Sequence, residues 1–140
     1  MSEPALHHIG YVVASIAESM DAFRASLGAT SVSATYEDPL QDARVAFLRL
    51  PAAGAVELEL VEPVSPGSPV ARFLEKGGGL HHLCFEVDSL ARQIEAMKAL
   101  KAALVRPPKP AVAFGGRRIC WMLTREKLLV EYLERAATAM

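Results

Sequence analysis

No stretch of this chain approaches the roughly 20 apolar residues that a membrane-spanning helix requires, so no transmembrane segment is expected. Charge of one sign is also missing. Fifteen Lys and Arg against sixteen Asp and Glu leave a net charge of −1, which gives no basis for a nucleic acid or an anionic membrane as partner. The opening Met1-Ser2-Glu3-Pro4 has neither a basic nor an apolar leader region, so no signal peptide is expected. Cysteine is scarce. Cys84 and Cys120 both sit inside apolar runs and read as reduced, buried small hydrophobes of a cytoplasmic protein. Low-complexity segments and charge blocks are absent as well. What remains is an ordinary globular composition, 51% hydrophobic and 22% charged over 140 residues, enough for about one domain with a real core.

The chain does contain itself twice. Leu6-His7-His8-Ile9 returns 74 positions later as Leu80-His81-His82-Leu83, and the match runs on through Val13/Val87, Ser15/Ser89, Ala22/Ala96 and Ala29/Ala103. Arg44 to Leu50 aligns with Arg118 to Thr124 at the same offset. Glu59-Leu-Val-Glu62 then aligns with Glu131-Tyr-Leu-Glu134 at an offset of 72, so the first copy has the longer loop by two residues. Internal repetition decides the architecture before any other reading. Module one covers about 5–64, a linker helix lies within about 65–79, and module two covers about 80–135.

Local signals fill in each module. His8 to Val13 is β-branched and aromatic, hence a strand. Ser15-Ile-Ala-Glu18 is a capping box that starts a helix, and Gly28 stops it. Residues 31–36 alternate as a strand would, 36–42 read as a loop, and 44–50 and 56–62 read as strands. Ser68 caps a short helix with Pro69 at its first position, running to Lys76. Module two repeats the order with a strand at 81–87, a helix at about 90–101, and strands near 104–106, 118–124 and 128–134. Pro107-Pro-Lys-Pro110 cannot lie in a central strand. With 111–116 it is expected to form a long loop, a common place for function.

Alternation along strands puts His8 on one face with Leu6 and Gly10, and His82 with Leu80 and Cys84. Glu131 falls between Leu129 and Leu133, where apolar residues belong. A buried carboxylate is costly unless it is paired or bound to a metal. A lone strand His or Glu is ordinarily a satisfied or solvated residue. Here each copy supplies one His and one Glu at matching places. His8, Glu59, His82 and Glu131 together offer N and O donors for a single divalent ion such as Zn, Ni, Co, Mn or Fe, which the donors alone do not distinguish. His7 and His81 face the other way. Glu57 is a weaker candidate than Glu59, while Glu62 and Glu134 belong to the outer face. Arg118 is the repeat partner of Arg44, which suggests a structural role for both.

The segments Leu6–Val13, Ser68–Lys76, Leu80–Asp88 and Leu129–Glu134 resemble the vicinal oxygen chelate superfamily, in particular its methylmalonyl-CoA epimerase-like and glyoxalase I-like members. The resemblance spans nearly the whole chain. It implies an α+β fold in which two tandem βαβββ modules form one cupped mixed sheet around a divalent metal, with the family's ligand pattern on His8, Glu59, His82 and Glu131. It further implies lyase or isomerase chemistry through a metal-stabilised enolate on a small carbonyl or acyl-thioester substrate, with Glu131 and Glu59 as proton-moving carboxylates. One position departs. Leu40 stands where the epimerases carry a Glu that serves as a base, and Glu37, Asp38 and Asp42 lie nearby but out of alignment. Methylmalonyl-CoA epimerisation is therefore expected to be slow or absent. Gln41 in this segment, and Arg117 in the loop before Arg118, are the candidate substrate contacts. A homodimer follows by analogy of fold.

Two rival functions keep the same fold. A dioxygenase needs two His and one carboxylate with open positions, and the fourth donor, Glu59, argues against it. A metal-free drug-binding protein differs only in its metal content and pocket.

Overall fold

The computed structural model describes residues 3–30 and 33–136. They fold into two compact units, His8–His81 and a second that joins His82 onward with the residues before His8.

The first unit holds strand β1 (Ala5–Val12, beginning just before the unit), helix α1 (Ile16–Leu27), strands β2 (Tyr36–Asp38), β3 (Ala43–Arg49) and β4 (Glu57–Pro63), and helix α2 (Pro69–Glu75). Its strands lie in the order β2-β3-β4-β1, with β1 parallel to β4 and the other neighbours antiparallel. Helix α1 starts where the capping box places it, with the Ser15 side chain accepting from the Glu18 N–H at 3.2 Å. It ends at Gly28 in the left-handed conformation, φ 69°, which only glycine adopts without steric cost. Val13, Ile16, Ala46, Leu48, Leu58 and Leu60 form a buried core on the helix side of this sheet. The linker behaves as its sequence suggests. Ser68 caps α2 through the Val70 N–H, and Gly78 follows at φ +69°, where a Cβ would meet the Val12 carbonyl oxygen at 2.9 Å.

The second unit repeats the plan with β5 (Gly79–Val87, beginning just before the unit), α3 (Leu90–Ala99), β6 (Ala103–Pro110), β7 (Arg118–Leu123) and β8 (Leu129–Glu134). The order is β5-β8-β7-β6, with β5 parallel to β8. Its core of Val87, Leu90, Ile94, Cys120, Met122, Val130 and Tyr132 takes up the repeat-related positions. Each unit thus places its helix on one face of a four-stranded sheet. The opposite face of each sheet is left for the conserved pattern of His and Glu within the repeat.

Three local expectations are corrected. The loop expected over 36–42 begins as a strand, because Tyr36, Glu37 and Asp38 pair with Val45, Arg44 and Ala43. Of the strand expected over 31–36, residues 31–32 lie outside the described residues, and 33–35 are not in a strand. The Pro-rich segment is also a strand. β6 runs through Pro107, Pro108 and Pro110 at the end of the sheet order. Proline is tolerated there because an edge strand has a neighbour on one side only, and Pro107 and Pro108 fall in a register shift between Arg106 and Lys109 where the ladder is interrupted. The loop proper is only the 3-10 turn at Val112–Phe114 and its flanks. Among the described residues, no helix is long and apolar enough to cross a membrane.

Candidate metal centre

In the first unit the register of β1 on β4 sets Gly10 opposite Glu59 and His8 opposite Glu57. His8 and Glu59 therefore share a face, one step apart along the diagonal. His8 Nε2 lies 3.5 Å from Glu59 Oε1, with both side chains buried. On β3, Phe47 is opposite Glu59. Its ring stands edge-on to the His8 imidazole, centroids 5.4 Å apart at 77°.

In the second unit Cys84 is opposite Glu131 on β8, and the geometry recurs. His82 Nε2 lies 3.6 Å from Glu131 Oε1, again with both side chains buried. Trp121, opposite Glu131 on β7, stands edge-on to the His82 imidazole at 4.6 Å and 77°. The two extra residues of module one lie in the β3–β4 connection, so they shift the numbering without shifting the register. Phe47 and Trp121 were not singled out from the sequence. Their shared offset of 74 was the signal that could have found them.

The donor separation suits a metal. Two ligands held at about 2.0–2.2 Å from a divalent ion at tetrahedral or right angles lie about 2.8–3.6 Å apart. Separations of 3.5 and 3.6 Å fall inside that range and beyond the usual 2.7–3.2 Å of a direct hydrogen bond. The donor set, imidazole nitrogen with carboxylate oxygen, is the chemistry such an ion takes. Cys120 lies on the helix side of β7, on the face opposite His82 and Glu131. Burial first, and the charge of Glu131 second, push its thiol up to about 11.

The remaining candidates lie elsewhere. His7 stands edge-on to Phe114 at 5.4 Å, and His81 edge-on to Phe73 at 4.9 Å. Both are half-buried, and strand alternation puts them on the opposite face from His8 and His82. Glu62 accepts from Arg44 Nη1 at 2.8 Å and from the Ile16 N–H at 2.8 Å, so it anchors the start of α1. Glu134 accepts from the Arg118 N–H at 2.9 Å and from its guanidinium. The structural reading of both arginines is thereby observed. Arg117 donates to Glu86 Oε2 at 2.9 Å and to the Glu134 carbonyl, an orientation committed to its own unit.

Gln41 is buried. It donates through Nε2 to Asp38 Oδ2 at 2.8 Å, while its carbonyl accepts from Ser68 Oγ at 2.8 Å. The Leu40 N–H is held by Asp38 Oδ1 at 2.9 Å. Two of the three acids near Leu40 are hydrogen-bonded, Asp38 in this turn and Asp42 by the Ser65 hydroxyl; Glu37 is an exposed ion-pair partner of Arg44 at 3.8 Å.

Comparison with known proteins agrees with this architecture. Residues 7–121 match the Glyoxalase/Bleomycin resistance protein/Dioxygenase superfamily. The ethylmalonyl-CoA/methylmalonyl-CoA epimerase of Cereibacter sphaeroides is 30% identical over 119 residues, 84% of this chain and 86% of that one. The uncharacterized protein YqjC of Bacillus subtilis is 37% identical over 134 residues, 92% of this chain and 91% of that one. A variant of the Streptomyces coelicolor methylmalonyl-CoA epimerase, solved with 2-nitronate-propionyl-CoA, superimposes with a TM-score of 0.80 at 25% identity, covering 97% of this chain and all of that one. The fold is that of the vicinal oxygen chelate proteins, and the chain belongs to the glyoxalase, bleomycin resistance protein and dioxygenase superfamily.

Proposed function

We propose that this protein is a metal-dependent isomerase that moves a proton at the carbon beside the carbonyl of a small acyl-thioester or related carbonyl substrate. His8, Glu59, His82 and Glu131 supply the donors for one divalent ion, drawn from Zn, Ni, Co, Mn and Fe. The observation that carries the reading is the duplicated, buried His–Glu pair at 3.5 and 3.6 Å. The epimerase relatives favour an isomerase over a glyoxalase I-type lyase.

When bound, such an ion acts as a Lewis acid that draws charge from a carbonyl oxygen and acidifies the adjacent C–H. The chain's own groups do the rest. Glu131 or Glu59 accepts the proton and returns it. Phe47 and Trp121 hold the imidazoles edge-on and add apolar bulk around the carboxylates. Inversion at carbon uses a second proton carrier on the opposite side of the substrate. Leu40 offers none; of its acidic neighbours Asp38 and Asp42 are held by hydrogen bonds, and Glu37 lies exposed 3.8 Å from Arg44. One-sided transfer, which carries the proton from that carbon to an adjacent atom of the same enolate rather than back to its own carbon, is the isomerisation that remains, and a homodimer is the assembly proposed with it.

The test has two parts. Elemental analysis of protein purified without chelator is expected to give one divalent ion per chain. Proton NMR of methylmalonyl-CoA in heavy water is then expected to show exchange or epimerisation well below about 10 per second, the median for enzymes. A metal-free protein that recovers none of these ions on addition would leave a non-catalytic binding protein. Turnover at or above that median would show that a non-aligned acid such as Glu37 or Asp42 replaces the missing base.

A further inference from the structure

The Pro-rich strand β6 carries two cations on an unexpected face. Residues two apart on a strand normally share a face, and residues three apart do not. β6 breaks both rules, because its register against β7 shifts twice. Leu104 is opposite Met122, Arg106 is opposite Trp121, and Lys109 is opposite Ile119. Leu104 packs on the helix-side core with Met122. The first bulge turns Arg106 to the other face. The second keeps Lys109 on that face, although three residues separate it from Arg106. Bulges re-aim side chains in this way, and they concentrate at sheet edges and next to functional sites.

That other face is the one that carries His82, Trp121 and Glu131. Arg106, Trp121 and Glu131 stand in one cross-strand row through β6, β7 and β8. Two interstrand spacings of about 4.8 Å set the Cα of Arg106 about 10 Å from that of Glu131. An extended arginine side chain and a small acyl group together bridge that separation. The matching edge strand in module one, β2, offers no cation on its corresponding face, only Tyr36 and Asp38.

The geometry points to Arg106 and Lys109 as the anion-recognition rim of the substrate site, taking an oxyanion of the substrate whose carbon reacts at Glu131. This rests on the proposed function and names the substrate class within it: a thioester or carbonyl compound bearing a second, anionic group. That group is a carboxylate on the acyl portion or a phosphate on its carrier. Both meet a guanidinium and an ammonium through the same charge-assisted hydrogen bonds.

The test is calorimetric binding of methylmalonyl-CoA and of unacylated CoA to the metal-loaded chain and to Arg106→Gln, Lys109→Gln and the double variant, with Lys98→Gln on α3 as a distant control. Metal content is measured on each. Arg106 and Lys109 are exposed, so the variants are expected to fold and keep their metal. Arg106→Gln is expected to weaken methylmalonyl-CoA by about tenfold or more and the double variant further, with Lys98→Gln unchanged. Loss confined to methylmalonyl-CoA assigns the rim to the acyl carboxylate, and equal loss for CoA assigns it to the carrier's phosphates. Affinities within about threefold of the unchanged chain, or no binding of either probe to that chain, overturn the rim. If every chain lacks metal, the proposed function fails on that measurement alone. The binding comparison still decides the rim.

Discussion

In module one the imidazole of His8 stands edge-on to Phe47, and Gly10 faces Glu59 across the strand pair. In module two His82 stands edge-on to the larger Trp121, and Cys84 faces Glu131. The His–Glu separations nevertheless agree to 0.1 Å. The sheet register, rather than the identity of the flanking residues, therefore sets the spacing of each pair. The helix sides differ more freely. Ala46, Leu48, Leu58 and Leu60 in one unit become Cys120, Met122, Val130 and Tyr132 in the other. A core accepts such exchanges while total volume and pattern persist.

The largest expected effect would break the equivalence of the two pairs. His8→Ala and His82→Ala should each abolish metal binding, measured as ions per chain after loading. His7→Ala and His81→Ala should stay within about tenfold in affinity, the scale of losses from residues that only support ligands. Loss of the metal from His81→Ala alone would reverse the face assignment of β5.

Core truncation comes next. Leu48 and Met122 are repeat partners and fully buried. Leu48→Ala and Met122→Ala should each cost about 2–5 kcal/mol in urea unfolding. The leucine site is expected to cost more, because flexible methionines leave surroundings that repack more easily. A Met122→Ala cost below about 1 kcal/mol would show that the second core is loosely packed and that the units differ in rigidity.

The smallest effect sharpens the comparison at the paired arginines. Arg44 meets Glu62 at 2.8 Å, and Glu62 also takes the first N–H of α1. Arg118 meets Glu134 at 3.3 Å with about half its side chain exposed. Arg44→Ala should cost about 1 kcal/mol and Arg118→Ala about 0.5 kcal/mol or less, as exposed pairs do. The Arg118 N–H, and then its side chain, hold the Glu134 carboxyl below its ordinary value of 4.5. A carboxylate depressed in the folded state adds stability that is complete above its unfolded value and lost as pH falls through the folded one. The stability gap between the unchanged chain and Glu134→Gln should thus be steady above about pH 5.5 and close in stronger acid. A gap that widened in acid would mean that the carboxylate is not stabilised by Arg118.

The amino-acid sequence by itself determined the duplication, the recurrence of one His and one Glu at matching positions of each copy, the capped helices and the face that each histidine takes. Those features rest on period, spacing and local capping, which neighbouring residues along the chain enforce. Only the tertiary structure decided which residues meet across strands. Phe47 and Trp121 became partners of the imidazoles through β3 and β7. Glu86 captured Arg117 across 31 residues of sequence. The prolines of 107–110 became an edge strand rather than a loop. Each outcome depends on long-range register, and a strand's fate depends on whether another strand lies beside it. Proline is excluded from the middle of a sheet and accepted at its rim for the same physical reason, one missing N–H. The local sequence carries that chemistry without recording where the rim will be.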